Sequence, residues 1–347
     1  MREAFTIKGM HVGEQGIMDD DVLTFCRQMG VEYVKASPPV KREVKGLGLE
    51  EKGYYNADSL AEWREHVESF GLKLVMMQLM PSPSIVEIGR RRGMSIMLGT
   101  PQRDRDIERM CKSIEAVGKA GIPILEWGFG PTSWVRSIGR TTGRGGIKYE
   151  YLNWDEIKDA PPHPAGPISA EDAWERIEYV VERVIPVAEE YKVKMACHPN
   201  DIPVPLGISY RGVEAVLSNV EGLKRFIDLY PSDYNGLAFC QGCVSEVSTN
   251  PEQVYEAIRY FGERKKIFWV DFRNVRGGFL KFEETFPDEG DIDMIKAIRT
   301  YKEVGYNGVL APDHIPHSYL DTSWGHRART FCYGYIKAAI QAVESEE

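Results

Sequence analysis

Short apolar runs rich in β-branched and aromatic residues alternate along the chain with longer segments whose apolar positions recur at helical spacing. Eight such runs are predicted strands: AFTIKGM (4–10), EYVKAS (32–37), KLVMMQL (73–79), PILEWG (123–128), KVKMACH (192–198), NGLAFC (235–240), KIFWVDF (266–272) and GVLAPD (308–313). Between them the periodicity predicts helices near 18–29, 57–70, 103–119, 169–190, 252–263, 290–303 and 325–343, with a less regular stretch at 211–230. Strand followed by helix, eight times over, is the pattern of parallel strands joined by crossover helices. Closing such a sheet removes both exposed edges, so the expected fold is α/β, a (β/α)8 TIM barrel forming a single domain over 1–347. An open, doubly wound sheet is the alternative.

Local signals support several boundaries. Ser169 stands one turn ahead of Glu171 and Asp172, and Asn250-Pro251-Glu252 pairs a capping side chain with a proline that fits the first turn. Gly121 and Gly305 fall where helices stop in a left-handed cap. The segment 129–168, with GRTTGRGG, YEY and PPHPAGP, carries too much Gly and Pro for one regular element. It follows the fourth strand, so it is expected at the C-terminal face as an irregular insertion: a lid-like loop, a subunit contact or plain surface.

Composition narrows the partners. The 347 residues are 43% hydrophobic and 27% charged, as in soluble globular proteins. A net charge of −9 opposes nucleic-acid binding, which gains affinity by neutralising phosphates, and the clusters RRR at 90–92 and RKK at 264–266 are short and far apart. No apolar run approaches the ~18 residues of a membrane span, and MREAFTIKGMHVGEQG lacks the order of a secretory signal, so the expected compartment is the cytoplasm. Six scattered cysteines do not form a small disulfide framework. Cys240 and Cys243 make a CxxC, but the motif follows a strand-like run, which argues against a redox pair at a helix start.

Polar groups at the C-terminal ends of barrel strands point into the mouth where substrates bind. The ends of strands five to eight supply His198, Cys240, Asp271 and Asp313. One imidazole, one thiolate and two carboxylates suit a divalent transition ion such as Mn²⁺, Fe²⁺, Co²⁺ or Zn²⁺; Mg²⁺ is the harder alternative and prefers oxygens alone. Each residue also has a structural reading: Cys240 as core filler, His198 and Asp313 as turn formers, Asp271 as the buried partner of Arg273. Cys243 reads as packing, and Gly242 as room for substrate or backbone to approach. Arg273 is expected to grip a substrate carboxylate with two parallel hydrogen bonds, Asn274 and His317 to contact substrate, and His314 and His326 to transfer protons. Lys35, Gln78 and Glu126 end strands too and are expected to line the mouth. No nucleotide-binding glycine motif is present: GRGG at 143–146 lacks the strand and sequence context of one.

On LGTPQRD (98–104), GPTSWVR (130–136), HPNDIP (198–203), NGLAFCQG (235–242), FRNV (272–275), GDIDM (290–294) and PDH (312–314), the chain resembles the mannonate dehydratase family of xylose-isomerase-like TIM barrels. The resemblance implies dehydration of D-mannonate to 2-keto-3-deoxy-D-gluconate with Mn²⁺ as the usual ion. It matches His198, Cys240 and Asp313 to family ligands and His314 to the catalytic histidine. The fourth family ligand is a histidine, and here Asp271 takes its place, exchanging a neutral donor for an anionic one. The family's downstream tyrosine falls at Trp324-Gly325-His326, which makes His326 its replacement. The expected activity is therefore a metal-dependent lyase acting on a small sugar acid, the protein a homo-oligomer. A sugar or uronate isomerase or epimerase using the same site, and a non-catalytic sugar-acid-binding barrel, are the alternatives.

Overall fold

In a computed structural model of the protein, residues 6–37, 46–79, 94–130, 134–202, 204 and 207–346 are described. Eight parallel strands close into a barrel: β1 (Met10–Gly16), β2 (Tyr33–Ala36), β3 (Lys73–Gln78), β4 (Ile124–Trp127), β5 (Lys194–Cys197), β6 (Asn235–Cys240), β7 (Ile267–Asp271) and β8 (Gly308–Ala311). Each strand pairs with its neighbours in sequence, and β1 closes the ring against β8 at Met10↔Gly308. The closed barrel replaces the open-sheet alternative. Seven strands lie where the apolar runs predict them.

The first does not. AFTIKGM lies partly outside the described residues, and β1 is instead Met10–Gly16, MHVGEQG, whose glycines and polar residues hide it from a hydrophobicity reading. Gly13 is required there, because a Cβ would stand 2.2 Å from Val309 Cγ1 and 3.2 Å from the Trp269 ring. The cluster at 90–92 also lies outside the described residues.

The predicted helices form within a few residues of their expected ends, and the irregular stretch contains the helix Val220–Leu229. Ser169 and Asp172 make a reciprocal capping box, and Gly121 ends Arg103–Ala120 in the left-handed conformation. A further short helix, Gln241–Val247, starts directly from β6 with Cys240 as its N-cap. The CxxC therefore does open a helix, contrary to the strand-only reading.

Two packed layers result. The larger buries Leu23, Ile114, Val181, Phe261 and Ile336 between barrel and helices. The smaller fills the barrel with Tyr33, Met76, Ile124, Ala196, Ala238, Trp269 and Ala311. Because strand side chains alternate, the residue two further along each strand faces inward one layer higher. Those residues are Lys35, Gln78, Glu126, His198, Cys240, Asp271 and Asp313. The packing of the barrel floor thus fixes which polar groups surround its mouth.

The segment 129–168 is stitched to that mouth. Trp134 bridges Asp201, and Tyr151–Asn153 joins a three-stranded sheet with Lys281–Thr285 and Asn274–Gly278 in the loop after β7. A small hairpin pairs Thr141–Thr142 with Lys148–Tyr149.

Candidate active site

The mouth opens into a cavity of about 1320 Å³ lined by Gln15, Lys35, Gln78, Glu126, His198, Asp271, Asp313, His314 and His317, among others. The four candidate ligands converge. Donor atoms of Cys240, Asp271 and Asp313 lie within 4.8 Å of one another, as do those of His198, Cys240 and Cys243, and His198 Nε2 stands 3.2 Å from Asp271 Oδ2. Ligand atoms around one ion bound at ~2.0–2.3 Å are separated by no more than this, so each group of three fits a divalent cation, and Cys240 and the His198–Asp271 contact link the two groups.

Second contacts orient these donors. His198 Nδ1 donates to the Pro199 carbonyl at 2.7 Å, which turns Nε2 toward Asp271 and Cys240. Trp269 Nε1 donates to Asp271 Oδ1 at 2.9 Å, and Gln15 Nε2 to Asp313 Oδ1 at 2.9 Å. Cys240 Sγ accepts the Cys243 N–H at 3.3 Å.

The charges are those of a cation site. Although burial favours the neutral thiol, the hydrogen bond from Cys243 and the charges of Arg273 and His198 hold Cys240 well below a thiol's ordinary range. Burial also works against ionisation of Asp271, yet Lys35 and His198 keep its carboxyl below the usual range. Asp313 is pushed up to about 6 by burial and by repulsion from Asp271 and Cys240. A bound cation relieves that repulsion.

Beside the cavity, which Asp201 and Glu284 help to line, lies a buried ionic network that the sequence did not reveal. Arg136 donates to both Asp201 oxygens at 2.7 and 3.1 Å and to Glu284 Oε1 at 2.8 Å, and reaches Glu246 at 3.2 Å. Arg273 donates to Glu246 Oε1 at 2.6 Å and Asp201 Oδ2 at 3.0 Å, with Nε 3.2 Å from Asp313. Burial and Asp201 push Glu246 up to about 8, whereas Glu284 is held at about 2 by His314 and Arg136 against the effect of burial.

This network corrects the expectation for Arg273. Its guanidinium is buried, donates to Glu246 and Asp201 and is not among the residues that line the cavity. Gly242 serves Arg273 rather than substrate: a Cβ there would stand 2.4 Å from the guanidinium. Asn274 is corrected as well. Its amide donates to the carbonyls of Pro287 and Ile292 and its oxygen accepts the Ile292 N–H, which ties down the loop after β7.

His314 does face the cavity. Its Nδ1 donates to Glu284 Oε1 at 2.7 Å while Nε2 stands 3.6 Å from Asp313 Oδ2. Burial opposes its charge, but Asp313 and Glu284 win and raise it to about 10. Its φ of +44° shows the backbone held in the left-handed region to aim the ring. His317 lines the cavity and is exposed. His326 does not join them: it starts the last helix, packed 4.7 Å from the Phe25 ring with Nδ1 against Thr322 Oγ1. Across the barrel, Lys35 Nζ donates to Glu126 Oε1 at 2.6 Å, both lining the mouth.

A family model described as D-mannonate dehydratase (UxuA) matches residues 164–346. The mannonate dehydratase of Streptococcus pneumoniae is 30% identical over 340 residues, covering 90% of this chain and 87% of that protein. The chain belongs to the mannonate dehydratase family. The Thermotoga maritima member is 30% identical over 321 residues, covering 82% of this chain and 83% of its own. The crystal structure of mannonate dehydratase from Streptococcus suis serotype 2 superimposes with a TM-score of 0.82 at 26% identity, covering 97% of this chain and 94% of that one. A xylose isomerase domain protein from Planctomyces limnophilus shares the fold alone, with a TM-score of 0.62 at 12% identity over 97% of this chain and 99% of its own. In the donor set, Asp271 is the carboxylate that meets the field of Lys35.

Proposed function

We propose that the protein is a metal-dependent hydro-lyase that removes water from a sugar acid, the reading carried by His314 facing the cavity beside the convergent donors His198, Cys240, Asp271 and Asp313. The conversion of D-mannonate to 2-keto-3-deoxy-D-gluconate is the form that the family membership supports. These four residues would hold a divalent transition ion, Mn²⁺ by the family resemblance, which when bound stabilises negative charge developing on substrate oxygens.

The protein's own groups divide the proton transfers. With Nδ1–H held by Glu284, His314 presents Nε2 to the cavity, and a ring raised to about 10 carries its proton at neutral pH. It is therefore the acid that protonates the departing β-hydroxyl. Glu126, on β4 diametrically opposite β8, is the acceptor for the α-proton, with Lys35 hydrogen-bonded to it. As the α C–H bond breaks, its electron pair forms the Cα=Cβ bond, and the Cβ–O pair leaves with oxygen. That oxygen takes the His314 proton to depart as water, and the enol becomes the 2-keto-3-deoxy acid. Arg136 and Arg273 keep Glu284, Asp201 and Asp313 in position.

The same proposal places the protein in the cytoplasm as a homo-oligomer. Six free cysteines suit a reducing compartment, and exposed Ile138, Tyr319 and Leu320 offer apolar contact area. The test is metal analysis followed by a screen of hexonates, uronates and ketoses with mass detection. Loss of one water from a hexonate is expected, abolished in His314→Asn. Isomerisation of a ketose or uronate without loss of mass would overturn the dehydratase reading.

A further inference from the structure

Two of the donor groups at the mouth share one atom. Cys240 Sγ groups with the carboxylates of Asp271 and Asp313, and equally with His198 and with Cys243 Sγ, all within 4.8 Å in each case. The first set is rich in hard oxygen. The second is an imidazole and two sulfurs, and the family's FCxG motif accounts for only one of those sulfurs.

The second sulfur is placed by local structure. Cys240 ends β6 and caps Gln241–Val247, and its Sγ accepts the Cys243 N–H at 3.3 Å, so both side chains lie on the same side of the first turn. Two cysteines separated by two residues at such a turn have the spacing of structural zinc ligands. Cys243 is buried, yet it is not surrounded by hydrocarbon alone: Arg273 Nη2 donates to its sulfur at 3.5 Å. Burial and the neighbouring Cys240 push this thiol up, so an ion binding here must displace its proton.

We propose that His198, Cys240 and Cys243 form a soft donor set that binds a zinc-class ion, with Cys243 as a metal ligand beyond those that the family resemblance implies. Two thiolates and an imidazole favour a borderline-soft ion over Mn²⁺. Any proton still on either sulfur is released to solvent as the ion binds. The inference rests on the metal-site reading of His198 and Cys240 and does not depend on the dehydration reaction.

The experiment loads the chelator-stripped, full-length protein with Co²⁺, a spectroscopic stand-in for Zn²⁺, in a phosphine reductant that keeps both thiols free. The sulfur-to-cobalt charge-transfer band scales with the number of bound thiolates, so its intensity should halve in Cys243→Ser and in Cys243→Ala. Zn²⁺ affinity should fall about 10- to 100-fold in both variants, a loss at least as large as for outer partners of a metal, with Mn²⁺ affinity unchanged. Retained Mn²⁺ binding also shows that the variants fold. A band of wild-type intensity in both variants, or a parallel fall in Zn²⁺ and Mn²⁺ affinity, overturns the role of Cys243. No charge-transfer band in the wild type would overturn the reading of Cys240 itself.

Discussion

His314 gives the sharpest test of the site's electrostatics, because its charged form is stabilised by two carboxylates on opposite sides of one ring. Asp313 and Glu284 raise it to about 10 from an ordinary value of 6.5. A raised folded-state value contributes stability that is fully present below the unfolded value of 6.5 and is lost as pH rises through about 10. Each unit is worth about 1.4 kcal/mol, so the shift sets a ceiling near 5 kcal/mol. The 27% of the side chain that meets solvent lowers it, leaving roughly 3 to 4 kcal/mol to be lost between pH 6 and pH 10. The assay is urea unfolding of chelator-stripped protein across that range, for wild type and His314→Gln. Glu246, raised to about 8, titrates in the same window with the same sign, so only the difference between the two curves counts. That difference should be largest at pH 6 and close toward pH 10. A gap that stays constant across the range, or an imidazole resonance titrating near 6.5, refutes the assignment of His314 as a proton-loaded acid.

Three other outcomes follow from the geometry. Arg136→Met leaves Asp201 and Glu284 buried beside one guanidinium instead of two, and should cost about 3 to 5 kcal/mol, read as a lower urea midpoint at unchanged slope; a loss below about 1 kcal/mol would show the network to be well hydrated. His326→Ala should keep kcat near wild type, because the ring packs on Phe25 away from the cavity, and a fall of ~10²-fold or more would return it to the reaction. Cys240→Ser removes the donor shared by both ligand sets and should weaken divalent-ion binding by at least about 10- to 100-fold in calorimetry; wild-type affinity would sink the metal site.

The residues legible in the sequence are those that strand alternation dictates. His198, Cys240, Asp271 and Asp313 each stand two places beyond a residue packed in the barrel, so recognising the strand was enough to aim them. Further along the loops legibility was partial, since a loop's direction depends on contacts remote in sequence: His314 reaches the cavity, whereas other residues do not. Arg273 and Asn274 turn down into the fold because Glu246, Asp201 and the carbonyls of Pro287 and Ile292 receive them. His326 turns away because Phe25 and Thr322 do the same for it. Asp271 shows both halves of this logic. A carboxylate where the resemblance implies a histidine could be noticed from the sequence, but its compensation could not: the Lys35 ammonium comes from β2, the Trp269 indole N–H from the same strand, and the His198 ring from β5. An uncompensated carboxylate at that depth would have to stay protonated and would be a poor ligand. Lys35 is in turn fixed by Glu126, 91 residues away in the chain. The exchange of a neutral donor for an anionic one thus makes physical sense only as part of a charge arrangement spread over four strands, and closure of the barrel is what brings those strands together.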